Sequence, residues 1–198
     1  LKMILVGGFL GSGKTTFIRS LAGYLVKREL QRVVILENEV GEIGIDNQYL
    51  AMDGFQVREL TAGCICCTLL GELTLAVNEI GEQFKPDWLV VEATGIARPD
   101  KIRGTLARYG KGIEASITIV LVDAGRWLEL SSVMPDLLFG QVGAADRVLI
   151  NKIDEAEKDN LPVILKSLKE TNNAAPVFFV NAFAGLDDNL LRELCSNV

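Results

Sequence analysis

Lys2-Met3-Ile4-Leu5-Val6-Gly7-Gly8-Phe9-Leu10-Gly11-Ser12-Gly13-Lys14-Thr15-Thr16 passes from an apolar run through a glycine-rich turn into an amphipathic segment. From Gly8 to Thr15 it matches G-x-x-x-x-G-K-[ST], a loop that wraps a polyanion between a strand and a helix. Gly8, Gly11 and Gly13 let the backbone close in with its N–H groups turned inward. Lys14 can reach β- and γ-phosphates, and the Thr15 hydroxyl can ligate Mg²⁺. Ser12 and Thr16 join the expected nucleotide contacts at the helix start, where the dipole favours an anion.

Working outward, short apolar runs rich in β-branched residues recur at 33–36, 88–91, 117–122, 148–150 and 177–180. Such runs suit strands buried on both faces. Amphipathic segments at 15–30, 69–84, 159–169 and 187–195 read as helices. The alternation predicts an α/β fold of the P-loop NTPase kind, a mostly parallel sheet with helices on both faces. The stretch 55–60 reads as a weaker strand, an antiparallel edge or the arm of an inserted hairpin. Residues 38–68 show little periodicity, and so long a stretch between regular elements marks a functional insert. The whole, 1–198, reads as a single domain.

With 20 basic against 26 acidic residues, the net charge of -6 argues against a nucleic-acid partner. No apolar stretch approaches the length of a membrane span, and residues 2–6 lead into the glycine loop rather than a cleavage site. Cys64, Cys66 and Cys67 are too close in sequence for a disulfide framework, so reduced thiols and a cytoplasmic location are expected.

Asn151-Lys152-Ile153-Asp154 follows the run ending at Ile150. The Asp154 carboxylate can accept from both N1–H and the exocyclic amine of guanine, a donor pair that adenine lacks. Asn151 would brace the loop or touch the base, and the Lys152 stem would cover its face. Glu92, at a strand end, can hold a magnesium water, and Gly95 can bring its N–H to a γ-phosphate. Asp123 ends the next strand and is expected to cap a turn. Thiolates at Cys64, Cys66 and Cys67 can bind Zn²⁺ or a similar ion, with Glu37, Glu39 and Glu42 the nearest oxygen donors. Buried packing is the other reading of those thiols, and packing is the expectation for Cys195. The chain has no histidine.

Taken together, the glycine loop, Glu37-Asn38-Glu39-Val40-Gly41-Glu42-Ile43-Gly44-Ile45-Asp46, Gly63-Cys64-Ile65-Cys66-Cys67, Glu92-Ala93-Thr94-Gly95 and Asn151 to Asp154 resemble the CobW-type GTPases, relatives of the HypB and UreG nickel chaperones. The resemblance implies a GTPase that couples nucleotide state to delivery of a metal, commonly zinc or cobalt. It also implies a first switch at Glu37 to Asp46, a second at Glu92 to Gly95, metal handling by the cysteine motif and guanine selection by Asn151 to Asp154. Many members continue into a second C-terminal domain, often histidine-rich, and this sequence shows neither feature.

The expected cofactors are GTP and Mg²⁺, with Zn²⁺ or Co²⁺ as cargo. The expected partners are a client metalloprotein, a separate protein standing in for the C-terminal domain, or a second copy of the chain; no nucleic acid or membrane is expected. Lys14, Thr15, Glu39, Glu92 and Gly95 are the candidates for hydrolysis, without an identified arginine finger. Two other classes compete: a GTP-dependent scaffold in which turnover is incidental, and a small-molecule kinase with a lid drawn from Arg98, Arg103 and Arg108.

Overall fold

Each apolar run becomes a strand because both of its faces find a helix to pack against. The computed structural model describes residues 1–39, 50–52, 55–61, 68–196 and 198. In order they form β1 (Lys2–Gly8), α1 (Lys14–Lys27), β2 (Val33–Glu39), β3 (Leu50–Met52), β4 (Phe55–Thr61), α2 (Thr68–Gln83), β5 (Trp88–Glu92) and α3 (Pro99–Tyr109). The chain continues through β6 (Ala115–Asp123), α4 (Trp127–Val133), α5 (Pro135–Gly143), β7 (Arg147–Asn151), α6 (Asn160–Thr171), β8 (Val177–Phe179) and α7 (Asp188–Leu194). One sheet runs β3-β4-β2-β5-β1-β6-β7-β8, parallel throughout except where β3 meets β4.

The two-residue period of the strands divides the core. Ile4, Val6, Ile35 and Val90 pack with Phe17, Ile18 and Leu21 of α1. Met3, Leu5, Leu36 and Val91 turn the other way, onto Leu73, Val77 and Ile80 of α2 and Ile102 of α3. Further along, Val120, Val122 and Ile150 cover Leu138 of α5 and Ile164 of α6.

Two sequence expectations change. Residues 55–61 are the arm of a hairpin, one of the two readings above, pairing antiparallel with the short β3; on their other side they pair in parallel with β2, Val34 opposite Gln56, so the edge of the sheet is β3 and not they. Three helices, α3, α4 and α5, lie where no helix was expected. Helix α3 buries only Pro99, Ile102 and Leu106, too thin a stripe to register as periodic. Helices α4 and α5 meet at Met134 and Pro135 with no polar loop between them, and Trp127 closes the joint edge-to-face on Phe139 at 5.8 Å. No described helix is long and apolar enough to cross a membrane.

Cys195 follows α7 and packs against the α1 side of the core, as its helical spacing predicts. Burial is the main influence on its thiol and pushes it from 9.0 up to about 12, with Arg147 pulling weakly the other way. At about pH 8, native Cys195 should therefore react with iodoacetamide at least roughly 30-fold more slowly than in the urea-unfolded chain, after allowance for the greater nucleophilicity of a high-pKa thiolate. Timed alkylation read by peptide mass spectrometry checks this, and equal rates would contradict the packing. The linkage has a definite sign. The folded thiol keeps its proton beyond the unfolded value, so stability is undiminished below 9.0 and is lost as pH rises toward about 12.

Candidate functional site

The C-terminal ends of β1, β2, β5, β6 and β7 share one edge of the sheet. The connection from β1 leads through α1 to one side, whereas β5 leads through α3 to β6 on the other side of β1. The loop after β1 therefore sits where the connections part, the usual place for a ligand in an open α/β sheet.

Three glycines shape that loop. Gly8, at φ 132, lies so close to β6 that a Cβ would stand 2.4 Å from the Leu121 carbonyl oxygen. Gly13, at φ 94, caps α1 and would drive a Cβ to 2.3 Å from Asn151 Nδ2. Gly11 turns at φ 78. The first turn of α1 has no acidic residue and no side-chain cap, so its N–H groups face the loop's hollow without an internal acceptor from the cap. Lys14 is 7% exposed and curls back over the loop, its Nζ donating to Gly8 O at 3.1 Å and Phe9 O at 3.4 Å. Burial lowers its pKa, and the Glu92 carboxylate offsets part of that. Ser12 is buried beneath the loop, and its Oγ has no hydrogen-bond partner among the described residues. Thr16 stands exposed on the first turn of α1.

The Thr15 hydroxyl donates to both oxygens of Glu92, at 3.0 and 3.1 Å. A hydroxyl and a carboxylate are the hard oxygen donors that Mg²⁺ takes, so the residues present fit that ion. Glu37 stands in register with Glu92 on the neighbouring strand and shares its α1-facing side. Glu39 ends β2, where only its backbone is described. Glu42, Cys64, Cys66 and Cys67 lie outside the described residues, and among those described no cluster of three or more metal-ligating side chains occurs. Gly95 presses onto the phosphate loop: a Cβ there would meet Leu10 N at 2.6 Å.

Asn151 joins two loops to the end of β7. Its Nδ2 donates to Ser12 O at 2.9 Å, and its Oδ1 accepts from Ala182 N at 2.9 Å. Lys152 takes a left-handed φ of 59. Its Nζ lies 3.0 Å from Asp123 Oδ2 and 3.7 Å from Glu155 Oε2. The contact to Asp123 is ionic rather than an aligned hydrogen bond, for that buried oxygen receives no hydrogen-bond donor. Asp154 is exposed.

Several participants have no signature in the sequence. Asp123 caps a turn through Gly125 N at 3.1 Å, as expected, and also orients Lys152, a role that needs β6 beside β7. Gln141, 1% exposed on α5, donates to Gly95 O at 3.0 Å and Ala97 O at 2.9 Å and so ties the loop after β5 to a helix. The loop after β8 reaches the site through Ala182, and Asn181 holds Phe183 N and Ala184 N at 3.1 and 3.0 Å. Of the arginines considered for a kinase lid, Arg103 is bound to Asp146 at 2.7 Å and Arg98 to Asp100 at 3.1 Å.

The sequence profile of the CobW/HypB/UreG nucleotide-binding domain matches residues 2–179. The chain belongs to the CobW/HypB/UreG family. Two curated relatives are 34% identical to it, both from Escherichia coli (strain K12): the zinc chaperone YeiR, over 79% of this chain and 48% of its own, and the zinc chaperone YjiA, over 89% and 56%. The chain thus spans about half the length of the curated relatives it matches. The crystal structure of Zn(II)-bound YjiA GTPase superposes with a TM-score of 0.71 at 28% identity, covering 96% of this chain and 60% of that one. HypB from Helicobacter pylori in complex with nickel shares the fold, at a TM-score of 0.64 and 19% identity, over 98% of this chain and 83% of its own.

Proposed function

We propose that this CobW/HypB/UreG-family chain binds GTP with Mg²⁺, hydrolyses it slowly, and couples the nucleotide state to holding a zinc ion for delivery to a client metalloprotein. One observation carries the reading: Thr15 bonded to Glu92 beside the buried ammonium of Lys14, on a glycine loop that Asn151 links to the base motif. The zinc-chaperone names of YeiR and YjiA favour zinc over cobalt as cargo.

The chain's own groups divide the work. The N–H groups at the start of α1 and Lys14 bind and orient the phosphates, and Asp154 selects guanine while the anchored Lys152 stem covers one face of the base. Mg²⁺, when bound, neutralises charge on the β- and γ-phosphates, with Thr15 and Glu92 as the residues that hold it or its water. Gly95, packed on Leu10, transmits the presence of a γ-phosphate to the loop after β5. Residues 38–68, with Glu39, Glu42 and the thiols of Cys64, Cys66 and Cys67, form the switch and cargo insert of one nucleotide-binding unit. Turnover by the chain's own groups is expected below roughly 1 per minute.

Titration of Zn²⁺ and Co²⁺ into the reduced protein with GTP-Mg, GDP-Mg or no nucleotide tests the coupling. Metal affinity should differ between the nucleotide states, and Cys66→Ala should weaken metal binding while GTP binding survives. Equal affinities in all three states would leave a GTP-dependent scaffold, and equal affinities for parent and variant would remove Cys66 from the cargo site.

A further inference from the structure

Arg126 stands between β6 and α4, after Ala124 and Gly125 in the turn, and lies against the glycine loop. Its Nη1 donates to Leu10 O at 3.3 Å, its guanidinium lies 6.0 Å from the centre of the Phe9 ring, and a Cβ on Gly11 would stand 3.2 Å from the same Nη1. The head thus binds Leu10 and lies beside Phe9 and Gly11. The neighbouring strand aims it there. β6 pairs with β1, Gly8 opposite Leu121, and the Asp123 turn brings the chain back through Arg126 N to Asp123 O at 3.3 Å.

Lys152 is paired with Asp123, Arg98 with Asp100 and Arg103 with Asp146, yet among the described residues no carboxylate makes an ion pair with Arg126. A guanidinium has five N–H donors in a rigid fork, and Leu10 O engages Nη1 alone. A carbonyl and an aromatic face hold the group in place before any ligand arrives, and a side chain already placed loses little freedom on use.

We propose that Arg126 is the charge-stabilising arginine of this GTPase, supplied by the chain itself and reaching the transferring phosphoryl group across Leu10 and Gly11. The inference rests on the GTPase reading above. In the reaction a water oxygen bonds to the γ-phosphorus. The bond from that phosphorus to the β–γ bridging oxygen breaks, its electron pair staying on GDP, and the water protons end on inorganic phosphate and in solvent. Negative charge moves onto the bridging oxygen, and the free N–H groups of Arg126 stabilise it there.

The test compares the parent with Arg126→Ala and Arg126→Lys in single-turnover GTP hydrolysis, in binding of GDP-Mg, and in binding of GDP-Mg with aluminium fluoride. Arg126→Ala should lower the hydrolysis rate and the affinity for the fluoride complex by roughly 10²-fold, while GDP-Mg affinity stays within about threefold. Arg126→Lys should recover little, because an ammonium lacks the planar fork. A parent-like rate in Arg126→Ala overturns the assignment. So does a fall in GDP-Mg affinity as large as the fall in rate, which would make Arg126 a brace of the loop. A parent that neither binds nor hydrolyses GTP would overturn the GTPase reading and this inference together, whereas parent turnover matched by Arg126→Ala overturns the inference alone.

Discussion

Replacing Asn151 with alanine is expected to lower the melting temperature by about 5–15 °C and to weaken guanine-nucleotide binding by more than roughly 10²-fold. One side-chain amide serves two buried backbone groups, donating to Ser12 O and accepting from Ala182 N, each at 2.9 Å. Alanine leaves both without a partner in a site closed to water. Each such group costs about 1–3 kcal/mol, and a chain of this size loses about 2–4 °C per kcal/mol. Function falls further than stability because the same amide sets the phosphate loop against the base motif. Asn151→Asp separates the two arms. It keeps the acceptor for Ala182 N but turns a carboxylate toward Ser12 O, so the phosphate arm alone fails. Gly13→Ala reaches the same joint from the other side, placing its Cβ 2.3 Å from Asn151 Nδ2 at φ 94. The double substitution Gly13→Ala with Asn151→Ala should therefore cost less than the sum of the singles. Calorimetry and equilibrium nucleotide titration read all of these. Strict additivity, or an Asn151→Ala protein with parental affinity, would show that the two loops are held apart from one another.

Lys14→Met separates stability from binding in the opposite sense. The ammonium lies in a 7%-exposed position where burial lowers its pKa, with Glu92 giving partial relief. Methionine fills similar space without a buried charge. The carbonyls of Gly8 and Phe9 lose a donor, so the net change in folding free energy should stay within about 1 kcal/mol. A triphosphate loses its charged donor outright, about 3–4 kcal/mol or roughly 10²–10³ in Kd. The pH dependence carries a further signature. The folded pKa of Lys14 lies below the unfolded 10.5, so the unfolded chain binds more protons in between, and parental stability gains as pH rises through that window. Lys14→Met should lack this gain. Denaturant melts at several alkaline pH values, paired with nucleotide titration at neutral pH, give both results. A Lys14→Met protein that binds GTP like the parent would place the phosphates elsewhere.

The strands were legible because burial on both faces leaves a continuous apolar run, as at Met3 to Val6 and Val148 to Ile150. Helices α3, α4 and α5 were not. Their contact with the sheet rests on a few residues such as Ile102, Leu106, Trp127 and Leu138, and the face to be covered belongs to strands far away in sequence. The parallel placement of 55–61 beside β2 was hidden for a related reason. Pairing direction depends on how the intervening chain returns, and the alternation within the strand is the same either way.

From its order of residues alone, this chain determined a glycine loop between strand and helix, the place of Lys14 and Thr15 upon it, a carboxylate at Glu92 and the run Asn151-Lys152-Ile153-Asp154 after a strand. Those are local matters: which residue tolerates a positive φ, which can bind an anion, which ends a strand. Only the tertiary structure decided that Glu92 meets Thr15, that Asn151 clasps Ser12 and Ala182, that Asp123 aims Lys152, that Gln141 secures Gly95 and that Arg126 lies on Leu10. Each of those contacts joins the ends of strands distant in the chain, or a strand end to a helix packed beside it, and only the sheet order brings them within hydrogen-bonding or ionic reach.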